Sequence, residues 1–164
     1  EDVIPTIYEN GKTPLILILD RITDIRNFGA IVRSAECAGV DAILIPEKNS
    51  AAINSDAMKT SSGALNKMIL CRSWNLKESL QFIKESGIQI ISCTEKSNES
   101  IYKANFSLPT AIIMGSEEDG ISNDLINISD KKVKIPIYGS IKSLNVSVAS
   151  GIILYEAIKQ RNNY

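Results

Sequence analysis

From Leu15 to Asp20 the chain reads LILILD, an apolar run that closes on an acid. A run of this length without alternation suits a strand buried on both faces, as in the interior of a parallel sheet. The period then changes. Between Arg26 and Gly39, the residues Phe28, Ile31, Val32 and Ala35 recur at helical spacing, and Gly39 supplies a stop. The same succession repeats along the chain. Short apolar runs predict strands over 41–45, 67–71, 88–93, 110–114 and 133–137. Helices are expected over 75–85, with Leu76, Leu80 and Ile83 on one face, over 122–128, capped by Ser122, and over 144–161. The stretches 54–64 and 97–104 read as short helices or loops. Strands alternating with helices imply an α/β fold with a mostly parallel six-stranded sheet and helices on both faces. Ligands of such sheets bind beyond the carboxyl ends of the strands. The segments after Asp20, Met114 and Ile137 all leave such ends.

Composition narrows the function. A chain of 164 residues fits one domain with a substantial core. The net charge of −1 is not that of a strong nucleic-acid binder, so any RNA affinity must come from local lysines and arginines or from elsewhere. There is no histidine. That excludes Ser-His-Asp and Cys-His catalysis and histidine metal ligation, and leaves a carboxylate, a lysine, water or a substrate group as base. Cys37, Cys71 and Cys93 have no metal-like spacing, sit in apolar stretches and read as core thiols of a cytoplasmic protein. No run reaches the length of a membrane span. Residues 1–14, with Pro5 and Pro14 and no periodicity, read as a linker or the remnant of a preceding RNA-binding domain. Residues 15–164 are the expected catalytic domain. No Gly-x-Gly-x-x-Gly follows the first strand, which disfavours an ordinary dinucleotide site.

Three stretches, in order, carry a more specific signal: DRITDIRNFGAIVRSAECAG from Asp20, IIMGSEEDGIS from Ile112, and IPIYGSIKSLNVSVASGI from Ile135. Together they resemble the SpoU (TrmH-type) RNA 2′-O-ribose methyltransferases of the SPOUT class. Among subgroups they look closest to the bacterial 23S rRNA guanosine 2′-O-methyltransferases, an impression that NSDAMKTSSGA, from Asn54, strengthens. The likeness covers nearly the whole chain. It implies S-adenosyl-L-methionine as cofactor, an RNA substrate (ribosomal RNA first, transfer RNA second), a homodimer, no metal, and a C-terminal trefoil knot. General topology rules would not suggest such a knot.

The resemblance also assigns residues. Arg33 matches an arginine implicated in catalysis, and Asn27 its polar partner. By composition alone Arg33 would be a solvated helix residue. In the family reading its guanidinium holds phosphate or stabilises a developing oxyanion, since a group that is always protonated is a poor base. Glu117, otherwise one of a solvated acidic run, matches the functional acid. Ser143 and Asn145 match positions near the reacting centre, although Ser143 also reads as a plain helix cap. Gly115, Ile135, Leu144 and Thr94 match the cofactor pocket, with Met114 and Ile137 beside them. A catalytically silent RNA-binding subunit on the same fold is the rival reading. From Leu144 to Leu154 the last helix is small or apolar almost all round, so it is expected to be buried on every side, partly by a second subunit.

Overall fold

The computed structural model describes residues 2–163. Among them, six strands form one all-parallel sheet in the order β3-β2-β1-β5-β4-β6. In chain order the strands are β1 (Leu15–Asp20), β2 (Ala42–Pro46), β3 (Leu70–Ser73), β4 (Gln89–Cys93), β5 (Thr110–Gly115) and β6 (Lys131–Val133). The helices are α1 (Val3–Glu9), α2 (Ile25–Cys37), α3 (Ser55–Thr60), α4 (Leu76–Glu85), α5 (Asn123–Ile128) and α6 (Val146–Asn162).

Successive strand side chains point to opposite faces, and the two faces carry separate cores. Leu15, Leu17, Leu19, Ile43, Ile45 and Ile112 pack with Phe28, Ile31 and Val32 of α2 and with Ile153 and Leu154 of α6. Ile16, Ile18, Leu44, Ile90 and Ile113 pack with Ile4 of α1, Leu80 and Ile83 of α4, and Leu125 of α5. Both faces being covered is why β1 and β5 read as unbroken apolar runs. Gly29 of α2 is forced by this packing: a Cβ there would collide with Thr60 of α3.

Several boundaries differ from the sequence expectation, each for a local reason. Residues 3–9 are a helix rather than linker, because Pro5 lies in the first turn, where its missing N–H leaves no bond unmade. Ile4 and Ile7 are buried. The third strand begins at Leu70, since a 3₁₀ turn at Ala64–Asn66 holds the amides of Lys67 and Met68 on the Ala64 carbonyl. The sixth strand stops at Val133. Lys134 keeps only a bridge to Ser100, and Pro136 has no N–H for a ladder. The last helix starts at Val146 and is capped by Asn145, not Ser143. Within the single chain it leaves Val148 and Tyr155 half exposed, at 50% and 53%. Ser122 sits at the start of α5 but makes no side-chain cap. Its N–H donates to Asp20. Cys37 is exposed rather than a core thiol, and Cys71 and Cys93 are only partly buried.

Arg161, near the end of α6, donates to the carbonyls of Thr13, Pro14, Phe106 and Leu108 at 2.6–2.9 Å. This ties the last helix to the entrance of β1. Burial lowers its pKa, opposed by the charge of Asp41.

Candidate functional site

Three loops that leave the carboxyl ends of β4, β5 and β6 surround a cleft of about 490 Å³. The first loop supplies Thr94 and Lys96. The second, residues 115–121, turns sharply back on itself: Ser116 bridges Gly120, and Gly120 has φ 67°. It returns so closely over Gly115 that a Cβ there would collide with the backbone of Gly120 and Ile121. Only glycine fits that position. The third loop supplies Ile135, Ile137, Lys142, Ser143 and Leu144, and passes into Asn145 and the first turn of α6. Pro136 matters here, since ending the strand early is what leaves Ile135 and Ile137 free to wall the cleft.

All six residues expected to bind cofactor, namely Thr94, Met114, Gly115, Ile135, Ile137 and Leu144, line this cleft. So do Glu117, Ser143 and Asn145. Asn27 joins them through a hydrogen bond. The Asn145 amide donates from Nδ2 to Asn27 Oδ1 at 3.0 Å and to Glu117 Oε1 at 2.9 Å. Val146 N–H also donates to Glu117 Oε1, at 3.3 Å. Meanwhile Asn145 Oδ1 accepts from Ser147 N and Val148 N, so one side chain both starts α6 and joins two distant segments. Asn27 is placed by the start of α2, where the Asp24 carboxylate accepts its N–H at 2.8 Å.

Arg33 is not brought into this cluster. It lies six residues beyond Asn27, about 9 Å further along the helix axis. It is exposed and does not line the cleft. Its neighbour Ser34 faces Gly151 of α6.

Sequence reasoning passed over Asp20 and Arg21. The Asp20 carboxylate is buried, accepting from Ser122 N at 2.7 Å and from the Arg21 guanidinium. An acid ending an apolar strand is the signal that could have marked it. Lys96 and Lys142 also line the cleft, as do the acids Glu117, Glu118 and Asp119. Beside them, burial and the charge of Glu95 push the Cys93 thiol up to about 12. Among the described residues no cluster of three or more His, Cys, Asp or Glu side chains is placed to hold a metal, and no helix is long and apolar enough to cross a membrane.

An all-parallel sheet with a cleft built on its carboxyl-end loops defines a ligand-binding α/β domain of the open-sheet class. The profile of the SpoU rRNA Methylase family matches residues 14–155, and the chain belongs to that family. It is 42% identical over 161 residues to a 23S rRNA (guanosine-2′-O-)-methyltransferase, RlmB, of Vibrio parahaemolyticus, a match covering 98% of this chain and 65% of that enzyme. It is 36% identical over 162 residues to RlmB of Escherichia coli, covering 99% and 67%. The chain thus spans about two thirds of the length of these curated relatives. Among solved structures, the SpoU methyltransferase AviRb of Streptomyces viridochromogenes in complex with AdoMet superposes with a TM-score of 0.86 at 28% identity, covering 93% of this chain and 62% of that one. A TrmH/SpoU tRNA modifying enzyme of A. aeolicus gives 0.85 at 34% identity, covering 93% and 77%.

Proposed function

We propose that this chain carries the catalytic domain of an S-adenosylmethionine-dependent RNA 2′-O-ribose methyltransferase, with ribosomal RNA as substrate and the cytoplasm as its compartment. The observation that carries the reading is the Asn27–Asn145–Glu117 cluster at the mouth of the cleft. The cleft fits the cofactor. Its volume falls in the ~300–1,000 Å³ range of small-molecule sites. Ile137 and Leu144 stand 39% and 38% exposed on its wall, apolar surface that an adenine ring would cover. Gly115 leaves backbone open to close approach.

When bound, S-adenosylmethionine supplies an electrophilic methyl group on a sulfonium. The protein has to hold the ribose hydroxyl in line and help remove its proton. Glu117 Oε1 is engaged by Asn145 and Val146, which fixes the carboxylate and leaves Oε2 to accept that proton. Ser143 and Asn27 orient the ribose. Arg33 pairs with phosphate and stabilises charge developing on the hydroxyl oxygen. Its distance from its own cleft supports a two-fold homodimer in which it serves the partner's site. The exposed Val148 and Tyr155 on α6, a helix that packs on α2, support the same interface. The net charge of −1 supports assigning most of the RNA affinity to a separate RNA-binding domain linked through residues 1–14. The trefoil knot belongs to this reading too, supported by the path of the chain from β6 at the sheet edge through the 134–145 loop to α6 on α2.

The test is methyl transfer from S-adenosylmethionine to ribosomal RNA, mapped by nucleotide, together with calorimetric binding of cofactor. Binding of NAD in place of S-adenosylmethionine would overturn the reading. Cofactor and RNA binding without transfer would favour the silent subunit. Methylation of transfer RNA in preference would move the substrate toward that of the A. aeolicus relative. Mixing inactive Arg33→Ala and Asn145→Ala proteins should restore part of the activity. No recovery after verified subunit exchange would remove the shared site.

A further inference from the structure

We propose that Arg21 and Asp20 form a clamp that positions the Glu117 loop, making Arg21 a positioning residue for the reaction. The clamp rests on the methyl-transfer reading for its purpose, though not for its geometry. Arg21 is the first residue after β1 and has φ 60°, a left-handed conformation that a residue with a Cβ rarely adopts. Such a conformation persists only where the surroundings enforce it. Here they do so at several points. The guanidinium donates from Nε to Asp20 Oδ1 at 3.1 Å and from Nη2 to the Gly120 carbonyl at 3.0 Å. Its Nη1 lies 3.4 Å from Asp119 Oδ2. The other carboxylate oxygen of Asp20 accepts from Ser122 N at 2.7 Å.

These contacts bear on one object, the tight 115–121 loop, which is held at its far end by the last residue of β1, Asp20, and by Arg21 directly after it. Asp20 is the sheet partner of Gly115, so the near end is fixed by register. Between the two pinned ends stands Glu117, whose carboxylate meets Asn145 across the cleft. Neither Asp20 nor Arg21 lines the cleft. Any contribution to the reaction therefore passes through the loop. The guanidinium also sets a positive charge against Asp119, the last of three consecutive acids, Glu117, Glu118 and Asp119, that would otherwise repel one another.

The left-handed backbone gives the test its control. Arg21→Gly removes the guanidinium while supplying the residue best suited to φ 60°. It separates loss of the clamp from loss of the fold. Arg21→Lys keeps the charge but not the planar fork. Two readouts are needed. Hydrogen exchange of the 116–122 amides, measured on the protein without substrate, should quicken about tenfold in Arg21→Gly and less in Arg21→Lys, while the melting temperature stays within a few degrees. Turnover on RNA should fall about tenfold in Arg21→Gly, the KM for S-adenosylmethionine and RNA changing less than threefold, since a small displacement of a reacting group costs rate rather than binding. Loop amides that exchange at the wild-type rate would overturn the clamp. A loosened loop with unchanged kcat would overturn the positioning role. Wild-type protein without methyl transfer would instead defeat the functional reading, and the exchange result would still decide the clamp. If Arg21→Gly does not fold, Arg21→Lys carries the same two measurements.

Discussion

Asn145→Ala should separate the two tasks of one side chain. As the cap of α6, Asn145 Oδ1 satisfies the amides of Ser147 and Val148, and loss of such a cap costs about 1 kcal/mol. Its Nδ2 donates to Asn27 and Glu117 in an exposed setting. Two solvent-accessible hydrogen bonds contribute roughly 0.5 kcal/mol each, toward the low end of the usual range. The sum is about 2 kcal/mol, which for a domain of this size lowers Tm by roughly 4–8 °C. Asn145→Asp provides the contrast. The carboxylate still caps and gains from the helix dipole by ~0.3–1 kcal/mol. It loses both donated bonds, however, and stands against the Glu117 carboxylate. That repulsion is on the order of 1 kcal/mol in water-like surroundings and more where water is excluded. Asn145→Asp should therefore stay within about 1 kcal/mol of Asn145→Ala, and adding Glu117→Gln should stabilise Asn145→Asp while destabilising the wild type. The assay is a double-mutant cycle by thermal or urea unfolding. Asn145→Asp at wild-type stability, or Glu117→Gln giving the same change in both backgrounds, would refute the placement of Asn145 against Glu117.

Other outcomes follow from single features. Gly115→Ala should cost about 2–3 kcal/mol by urea unfolding, because its Cβ meets the backbone of Gly120 and Ile121 rather than a yielding side chain. Arg161→Lys should cost roughly 3 kcal/mol in the same assay, since an ammonium cannot reproduce a fork serving four carbonyls. Iodoacetamide at pH 8 should label exposed Cys37 well before Cys93, as read by peptide mass spectrometry. The raised thiol pKa of Cys93 favours the native state below its ordinary value of about 9. That contribution should be lost as pH rises from 9 to about 12, and Cys93→Ala should flatten this part of the pH–stability curve.

The β1 run, the amphipathic faces of α2 and α4 and the strand–helix alternation were legible because burial imposes a period on the sequence. The cleft residues were legible through resemblance, and only in part through position at strand ends. What escaped was decided by contacts that no local pattern carries. Whether Asn145 or Ser143 caps α6 depends on Glu117 and Asn27 lying within reach of the Asn145 amide. Ser122 makes no side-chain cap on α5, while its N–H donates to Asp20, a residue 102 positions away, a pairing that no local pattern announces. The helix at 3–9 was hidden by Pro5, which breaks a helix interior but not a first turn. Arg21 gave no signal at all, since a left-handed φ is invisible at an arginine.

The cluster draws on residues 27, 117 and 145, and the last of these opens the final helix. During synthesis the sheet strands are available before that helix, so a nascent chain would hold its scaffold while still lacking a complete site. The segment 137–145 that leads into this helix is exposed along its whole length. A single proteolytic cut there should separate the rest of the cleft wall from the helix that Asn145 opens, a helix whose Ile153 and Leu154 belong to one of the two hydrophobic layers.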